Sequence, residues 1–371
     1  MQLLVYKNIE YFIDDFVNQY VSENDFAGQV AKIISQWQKK ESYYSLTTSG
    51  STGAVKELKF SYNQLKISAK QTIDFFGLTN DDELLCCLPV NKVAGFMMII
   101  RALEANADLI ITEPSLYPLD SLKKNLSVSF AAFIPSQFEI ILNQYSHYQS
   151  FFRYTKAVIL GGMAVGFELS EKIKTIDTAV YETYGMTETL SHFALKKLNG
   201  ENQAPFFTLL NENEIMMDEN ECLMVKSRIT QNKWLKTNDV VEILSNNTFT
   251  IRGRADNIIN TGGIKIFPES IEQRIMLYVS KFFHTERFII AGFKNQQFGE
   301  IPVLILECVS IHKTNFELFF NSIAEVLEKY EIPWKIYIEE RFSETENLKL
   351  NRKAIIENTL KSKNTIYERK R

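Results

Sequence analysis

Between residues 84 and 185 the chain alternates short apolar runs, rich in β-branched residues, with stretches of helical periodicity. The apolar runs lie at residues 84–90, 108–112, 130–134, 157–160 and 179–184, and helical stretches include residues 137–145 and 167–176. This alternation is typical of α/β folds, in which helices cover a largely parallel sheet. We therefore expect a large, layered α/β domain.

The sequence pattern changes after residue 206. Residues 206–252 contain short pieces of period-two alternation, at 221–226 and 239–244, which predict an antiparallel β unit appended to the α/β core. A new pattern starts at Gly253, with a helix beginning at Pro268, a helix at 316–330 and strands at 287–293, 303–309 and 335–338. A length of 371 residues predicts two or three domains. We predict an amino-terminal domain at residues 1–252 and a smaller, mobile α+β domain at residues 253–371.

Composition limits the binding partners and the cellular compartment that we expect for the chain. Charged residues make up 23% of the chain and the net charge is -4, so charge gives no indication of a nucleic acid partner. Four cysteines without disulfide or zinc-site spacing favour a reducing, cytoplasmic location. The apolar runs at 84–90 and 94–100 are shorter than the roughly 18 residues that span a bilayer, and the amino terminus does not resemble a signal peptide. We expect no membrane insertion, and the sequence leaves homo-oligomer formation open.

The segment at residues 47–56, Thr-Thr-Ser-Gly-Ser-Thr-Gly-Ala-Val-Lys, is the first that suggests chemistry. Its hydroxyl groups, its two glycines and its lysine can direct several donors at one anion, as a phosphate-binding loop does. The glycine spacing differs from that of a Walker loop, which disfavours an ATPase loop of that kind. A flexible linker rich in Ser, Thr and Gly is the alternative.

The second segment, Tyr-Gly-Met-Thr-Glu-Thr at residues 184–189, follows directly on a predicted strand. Ligands of open α/β sheets bind at the carboxyl ends of strands, so these residues are placed where a nucleotide could meet them. Tyr184 can stack on a base, and the lone carboxylate of Glu188 suits Mg²⁺, which takes few protein ligands. An aromatic turn with a capping threonine is the alternative.

Two later segments are less specific by themselves. Residues 253–269 are charged and rich in glycine and lie between the two predicted domains, where a hinge is expected. Residues 343–353 form a polar turn with basic residues, which include Lys349.

In this order, the segments resemble the motif series of the adenylate-forming superfamily, which includes acyl-CoA synthetases, adenylation domains of nonribosomal peptide synthetases and beetle luciferase. Residues 48–56 resemble its phosphate loop, 184–189 its adenine and magnesium motif, 253–269 its hinge and 345–352 its catalytic-lysine segment. Residues 237–239 resemble its ribose-binding Thr-Gly-Asp, with Asn238 in place of the glycine. The lysine segment departs from the pattern, because Ser343 replaces the usual proline and Leu348 replaces the glycine before Lys349.

The resemblance implies an AMP-forming ligase that uses ATP, Mg²⁺ and CoA. A carboxylate attacks the α-phosphate to give an acyl-adenylate, and a thiol then displaces AMP. Phosphate and nucleotide binding is implied for Thr48, Ser49, Ser51, Thr52, Lys56, Gly161, Gly162, Tyr181, Glu182, Tyr184, Asp239 and Arg254. Catalytic roles are implied for Lys349, Thr187 and Glu188, with Glu188 also the ligand of Mg²⁺. Asp256 is implied as the pivot between the domains. Alternatively, Asp239 and Arg254 form a plain surface salt bridge, and Glu188 is a residue at the start of a helix.

The acid substrate is indicated by residues 88–103 and 184–192, which look most like those of the o-succinylbenzoate-CoA ligases of menaquinone biosynthesis. Arg101 lies in an otherwise apolar predicted helix, and an unpaired buried guanidinium is costly. A second carboxylate on the substrate would pair with Arg101 in a bidentate manner. Alternatively, Arg101 pairs with a protein carboxylate such as Glu104, or extends to solvent. Gly95, Gly185 and His192 are further candidate substrate residues, and His192 is equally compatible with a loop position away from the substrate.

Three rival functions remain open at this point. The chain could be another aryl- or fatty-acid-CoA ligase, an adenylation protein that loads a carrier protein, or a non-catalytic nucleotide-binding paralogue.

Overall fold

The computed structural model describes residues 2–47, 56–123, 127–310, 315–344, 350–362 and 364–369. The chain divides into two compact units. The first unit comprises Met1–Ile215, Val225–Leu235 and Leu244–Phe249, and the second comprises Met216–Met224, Lys236–Ile243 and Thr250–Arg371. A domain boundary between residues 252 and 253 stays a prediction.

The first unit contains seven of the helices in the described part of the chain. They are α1 (Ile13–Gln19), α2 (Phe26–Gln38), α3 (Tyr62–Phe76), α4 (Val93–Ala105), α5 (Pro135–Asn143), α6 (Gln149–Tyr154) and α7 (Phe167–Ile173). Its strands are β1 (Leu3–Tyr6), β2 (Ile9–Phe12), β3 (Tyr43–Thr47), β4 (Glu57–Ser61), β5 (Glu83–Cys86), β6 (Asp108–Ile111), β7 (Phe130–Phe133), β8 (Ala157–Leu160), β9 (Ala179–Met186), β10 (Ser191–Lys197) and β11 (Phe207–Leu209). Four further strands have residues in both units: β12 (Asn213–Met217), β13 (Cys222–Ser227), β14 (Leu235–Ser245) and β15 (Thr248–Arg254).

The central sheet of the first unit runs in the order β11, β10, β9, β8, β7, β5, β6, β1, β2. Pairing is parallel from β9 to β1, and antiparallel for β1 with β2, β9 with β10 and β10 with β11. Strands β7 and β8 are fully buried. This is expected of continuous apolar strands in a parallel sheet, because both faces of such a sheet are covered. The predicted layered α/β fold with a largely parallel sheet is confirmed.

Strand β9 is longer than the sequence predicts. It continues through Tyr184, Gly185 and Met186, so these residues lie within the strand and do not follow it. Thr187–Thr189 then form a 3-10 turn that leads into β10. The strand extends because its last residues pair with the beginning of β10, where Gly185 lies opposite His192.

Helices α3 and α4 are neighbours that cover the sheet. Helix α3 begins with a capping box, in which the Ser61 hydroxyl accepts from the backbone N–H of Gln64, and it ends at Gly77 in the left-handed conformation. Helix α4 is buried from Gly95 to Ala102 without interruption. A helix that is apolar on all sides is expected in a core, so its one arginine is enclosed.

The second unit is an α+β unit, as predicted. Its helices are α8 (Pro268–Phe283), α9 (Phe316–Ile323) and α10 (Arg352–Ser362), and its strands are β16 (Ile259–Thr261), β17 (Ile264–Ile266), β18 (Phe288–Asn295), β19 (Gly299–Glu307), β20 (Lys335–Glu339) and β21 (Thr365–Glu368). Strand β19 pairs with β16, β18 and β20. Helices α8 and α9 pack on one face of this sheet, and α10 packs on the other through Ile355.

The helix predicted at residues 316–330 is too long. It ends at Ile323, and the following residues form turns. The Glu331 carboxylate accepts the backbone N–H of Glu328, while Arg274 binds both that carboxylate and the carbonyl oxygen of Val326. These tertiary hydrogen bonds replace the helical pattern.

Within the described ranges, no helix combines the length and the apolar character needed to cross a bilayer. All four cysteines are free thiols.

Candidate active site

The predicted phosphate loop lies between two paired strands. Thr48, Ser49, Ser51 and Thr52 lie outside the described residues. Strands β3 and β4 pair in antiparallel register, and Thr47 lies opposite Glu57. The two ends of the segment are therefore adjacent, and Lys56 is exposed immediately before β4.

Gly161 and Gly162 follow directly on strand β8. The Thr183 hydroxyl donates to the carbonyl oxygen of Leu160 at 3.0 Å. A β-carbon on Gly161 would lie 2.6 Å from that hydroxyl oxygen, and Gly162 has a φ of 89°. Both positions therefore require glycine, which leaves bare backbone at the carboxyl end of a parallel strand, the usual location of a ligand in such sheets.

Tyr181 and Glu182 lie on opposite faces of strand β9. The Tyr181 ring packs edge-on against Phe75 and Phe76 of α3, at centroid distances of 5.6 and 5.2 Å. The buried Glu182 carboxylate pairs with Lys196 and accepts the backbone N–H of Val165 at 3.2 Å. Glu182 therefore connects β9 to the segment that follows Gly161 and Gly162, whereas Tyr181 contributes to the core.

Tyr184 lies among aromatic residues. Its ring is 5.4 to 5.6 Å from those of Phe193, Phe207 and Phe249. Its neighbour Gly185 is exposed, and the backbone of the β9–β10 hairpin passes close to it.

Thr187 and Glu188 lie on the 3-10 turn after β9. The turn is held by the Thr189 hydroxyl, which interacts with the backbone of Met186 and with the carbonyl oxygen of Ser191. Across the described ranges, no three His, Cys, Asp or Glu side chains form a metal-binding group. A single carboxylate beside a hydroxyl fits Mg²⁺, which retains waters and phosphate oxygens as its other ligands.

Asp239, Arg254 and Asp256 form an ion-pair network in the second unit. Arg254 pairs with Asp239 at 3.4 Å and with Asp256 at 3.1 Å. The Asn238 amide donates to the Asp256 carboxylate at 3.3 Å. Burial lowers the pKa of Arg254, but the two carboxylates outweigh burial, so the pKa is raised. The predicted ribose-binding and hinge residues are therefore in mutual contact.

Lys349 lies outside the described residues, and the residues on either side of positions 345–349 pair with each other. Glu344 and Leu350 form an antiparallel bridge, and the backbone N–H of Asn351 donates to the carbonyl oxygen of Ser343 at 2.8 Å. Beyond the bridge, Arg352 pairs with the partly buried Glu272 of α8. The residues on either side of positions 345–349 are therefore adjacent.

Arg101 of α4 is buried, with 1% of its surface exposed. Its Nε donates to the Thr72 hydroxyl at 3.1 Å, and its Nη2 donates to the Ser191 hydroxyl at 3.0 Å. Burial lowers the pKa of the Arg101 guanidinium to about 9, which leaves it charged at neutral pH. In the described part of the chain, no carboxylate pairs with it. Arg101 is thus a buried cation held by neutral hydroxyl groups.

The alternative in which Glu104 neutralises Arg101 is wrong. The Glu104 carboxylate pairs with Lys66 at 3.4 Å and lies 3.9 Å from Lys70, both on helix α3. Extension to solvent is also excluded, because Arg101 is enclosed. Among the described residues, no carboxylate therefore neutralises the charge of Arg101.

His192 contacts the two hydroxyl groups that bind Arg101, whereas Gly95 contacts the segment that precedes α4. The His192 ring is buried, with Nε2 3.1 Å from the Thr72 hydroxyl and Nδ1 3.3 Å from the Ser191 hydroxyl. Burial and the nearby Arg101 charge lower the pKa of His192 well below its usual range, so the ring is neutral. A β-carbon on Gly95 would lie 2.5 Å from the carbonyl oxygen of Leu88, so this glycine permits close approach of α4 to the preceding segment.

Sequence reasoning missed Thr72 and Ser191. Thr72 lies 29 positions before Arg101 on another helix, and no local pattern marks it. Ser191 adjoins the recognised motif, but its contact with Arg101 depends on the β9–β10 hairpin.

Comparisons with known proteins support the same class of site. Residues 9–215, more than half of the chain, match the AMP-binding enzyme family. A solved acyl-CoA synthetase (AMP-forming)/AMP-acid ligase II-like protein from Dyadobacter fermentans DSM 18053 is 32% identical, with a TM-score of 0.61, and the match covers 92% of this chain and 96% of that protein.

Two further relatives carry a more specific name. The 2-succinylbenzoate--CoA ligase of Listeria monocytogenes serotype 4b (strain F2365) is 24% identical over 91% of this chain and 74% of the relative. The structure of o-succinylbenzoate CoA synthetase from Bacillus subtilis, in complex with the acyl-adenylate intermediate, has a TM-score of 0.69 at 20% identity, covering 83% of this chain and 68% of that protein. The predicted acyl-CoA synthetase-like fold is confirmed, and the chain belongs to the AMP-binding enzyme family.

Proposed function

We propose that the chain is an AMP-forming acid-CoA ligase that converts o-succinylbenzoate, ATP and CoA to o-succinylbenzoyl-CoA, AMP and pyrophosphate. In the first step a carboxylate oxygen attacks the α-phosphate and pyrophosphate leaves. In the second step the CoA thiol attacks the acyl carbon and AMP leaves. The curated relatives named 2-succinylbenzoate--CoA ligase support this reaction.

The observation that carries the choice of acid is the charge of Arg101. A buried charge without an opposite charge is unfavourable, and a guanidinium binds a carboxylate through two parallel hydrogen bonds. o-Succinylbenzoate has two carboxylates, so one can be activated while the other pairs with Arg101. A monocarboxylic fatty acid would leave this cation without a partner.

The roles of the other residues follow from the resemblance and are part of the proposal. The β- and γ-phosphates are assigned to Thr48, Ser49, Ser51, Thr52 and Lys56, adenine to Gly161, Gly162, Glu182 and Tyr184, and ribose to Asp239 and Arg254. Tyr181, which packs on α3, is not assigned to adenine. Thr187 and Glu188 hold the α-phosphate and Mg²⁺, which neutralises phosphate charge when bound. Lys349 stabilises the negative charge that develops on the α-phosphate during the first step.

Domain movement about Asp256 is the remaining part of the proposal. Asp256 binds both Arg254 and Asn238, so a change of backbone conformation at this residue alters a network that includes the proposed ribose site. Rotation would withdraw Lys349 after adenylation and admit the thiol. A cytoplasmic location stays a prediction, and homo-oligomer formation stays open.

The test is pyrophosphate release by the purified chain with ATP, Mg²⁺ and a panel of acids, with and without CoA. We expect release with o-succinylbenzoate, and thioester formation when CoA is added. Arg101→Lys should raise the KM for this diacid, whereas the exposed Arg153→Lys should not. Release that requires another acid, or a carrier protein in place of CoA, would contradict the proposal, and no release with any acid would favour a non-catalytic nucleotide-binding protein.

A further inference from the structure

The Arg101 guanidinium is one member of a closed ring of hydrogen bonds. Arg101 contacts the hydroxyl groups of Thr72 and Ser191, and the His192 ring joins these two hydroxyl groups through its two nitrogen atoms. All four residues belong to the first unit. The direction of each hydrogen bond can be worked out because an arginine has only donors.

The two hydroxyl oxygens must therefore accept from Arg101. Two arrangements of the remaining protons are then possible. In one, the Thr72 hydroxyl donates to Nε2 of His192, and Nδ1–H donates to Ser191. In the other, the Ser191 hydroxyl donates to Nδ1, and Nε2–H donates to Thr72.

Burial decides between the two arrangements. The second leaves the hydroxyl proton of Thr72 without an acceptor, yet Thr72 is 0% exposed, and the described residues offer it only His192. A buried donor without a partner costs its full desolvation penalty. The first arrangement instead leaves the hydroxyl proton of Ser191, which is half-buried and can meet water or a ligand. The first arrangement is therefore the stable one.

The backbone holds Ser191 in the position that this arrangement needs. Ser191 has a φ of 92°, a left-handed conformation that is unfavourable for a residue with a side chain. Its carbonyl oxygen accepts from the Thr189 hydroxyl at 2.8 Å, and the strand pairing is irregular between His192 and Ala194. Backbone outliers of this kind concentrate at binding sites.

We propose that Thr72 and His192 are positioning residues, which orient the Arg101 guanidinium and the Ser191 hydroxyl as joint donors to the second carboxylate of the substrate. Ser191 accepts from both Arg101 and His192, so its own proton is left to donate. Arg101 retains the two N–H groups of Nη1 and one of Nη2. This inference rests on the proposed function for the identity of the ligand, but the proton arrangement itself does not depend on it.

The first test is the tautomer of His192 in the ligand-free protein, measured by ¹⁵N NMR of histidine-labelled chain. Only four histidines are present, and the His192 signals are assigned by their loss in His192→Gln. We expect Nδ1 to be protonated and Nε2 to be unprotonated at neutral pH. The Nε2–H tautomer or an imidazolium ring would overturn the arrangement, whatever the substrate is.

The second test is a kinetic comparison of Thr72→Val with Thr72→Ser. The valine variant should raise the KM for o-succinylbenzoate at least tenfold with little change of kcat, and should leave the KM for a benzoate analogue without the second carboxylate unchanged. The serine variant should restore the KM for the diacid. Thr178→Val, which removes a different buried hydroxyl bonded to the Phe152 carbonyl, is the matched control and should not change either KM.

The outcomes separate the two proposals. If the wild-type chain uses the diacid and Thr72→Val has the same KM, the positioning role is wrong while the function stands. If the wild-type chain uses only monocarboxylic acids, the proposed acid is wrong. The second carboxylate is then also wrong as the ligand of Arg101 and Ser191, whichever tautomer His192 has. Where Thr72→Val does not fold, Ser191→Ala provides the same comparison, and an unchanged KM for the diacid would overturn the proposal.

Discussion

Gly185 and His192 lie opposite each other in the β9–β10 hairpin, at a distance that admits no side chain on Gly185. A β-carbon at position 185 would lie 2.5 Å from the Cα of His192 and 2.1 Å from the carbonyl oxygen of Ser191. Both neighbouring atoms belong to backbone, which cannot move aside as a flexible side chain can. The hairpin therefore places the Ser191 and His192 side chains only when residue 185 is glycine.

Gly185→Ala should lower the free energy of unfolding by about 1–3 kcal/mol, as overpacking of a tight contact does. It should also raise the KM for the diacid, because Ser191 is displaced. Chemical denaturation and steady-state kinetics measure the two effects. Gly166→Ala is the control, since a β-carbon there meets no atom within 4 Å, and equal effects of the two variants would contradict the steric explanation.

Arg101→Met should raise the free energy of unfolding of the ligand-free chain by about 1 kcal/mol, because it removes a buried charge that no carboxylate neutralises. The same variant should bind the diacid more weakly, with a KM raised about a hundredfold. Urea denaturation and pyrophosphate release report the two quantities. Arg153→Met, on the exposed side of α6, should change neither. A marked loss of stability in Arg101→Met would show that the guanidinium is needed for folding.

The stability of the chain should fall as the pH falls below about 6.5. Burial and the Arg101 charge lower the pKa of His192 from its usual value of 6.5. As the pH falls below that value, the unfolded chain therefore binds a proton at His192 that the folded chain does not bind. This contributes up to about 1.4 kcal/mol for each pH unit below that value. Denaturation midpoints between pH 5 and 8 measure the slope. His192→Gln should reduce the slope and His147→Gln should retain it; an unchanged slope in His192→Gln would contradict the neutral ring.

Lys349→Ala should reduce adenylation by about two orders of magnitude or more and leave thioester formation from preformed acyl-adenylate largely intact. The reason is that only the first step places new negative charge on the α-phosphate. Pyrophosphate release and single-turnover thioester formation distinguish the steps. Lys353→Ala, four positions along and exposed, is the control. Equal loss of both steps in Lys349→Ala would refute the assignment.

The sequence predicted features that have a local signature. The alternation of short apolar runs with helical stretches predicted the parallel sheet. Arg101 was recognisable because it is a charged residue in an otherwise apolar helix. The partners of Arg101 were not predictable, because α3, α4 and the β9–β10 hairpin meet only in the folded chain. Glu104 failed as a partner for the same reason, since its carboxylate reaches Lys66 on the neighbouring helix. The end of α9 was misplaced because Arg274 and Glu331, distant in sequence, end the helical pattern.

The unpaired guanidinium of Arg101 also has a consequence for inhibitor design. On the proposed function, an adenylate mimic that keeps a permanent anion at the position of the second carboxylate gains an ion pair in a dry environment. An uncharged isostere of the same shape would instead enclose the cation beside an apolar group. Selectivity over enzymes of monocarboxylic acids is therefore expected to depend on the retained charge of the inhibitor and much less on its size.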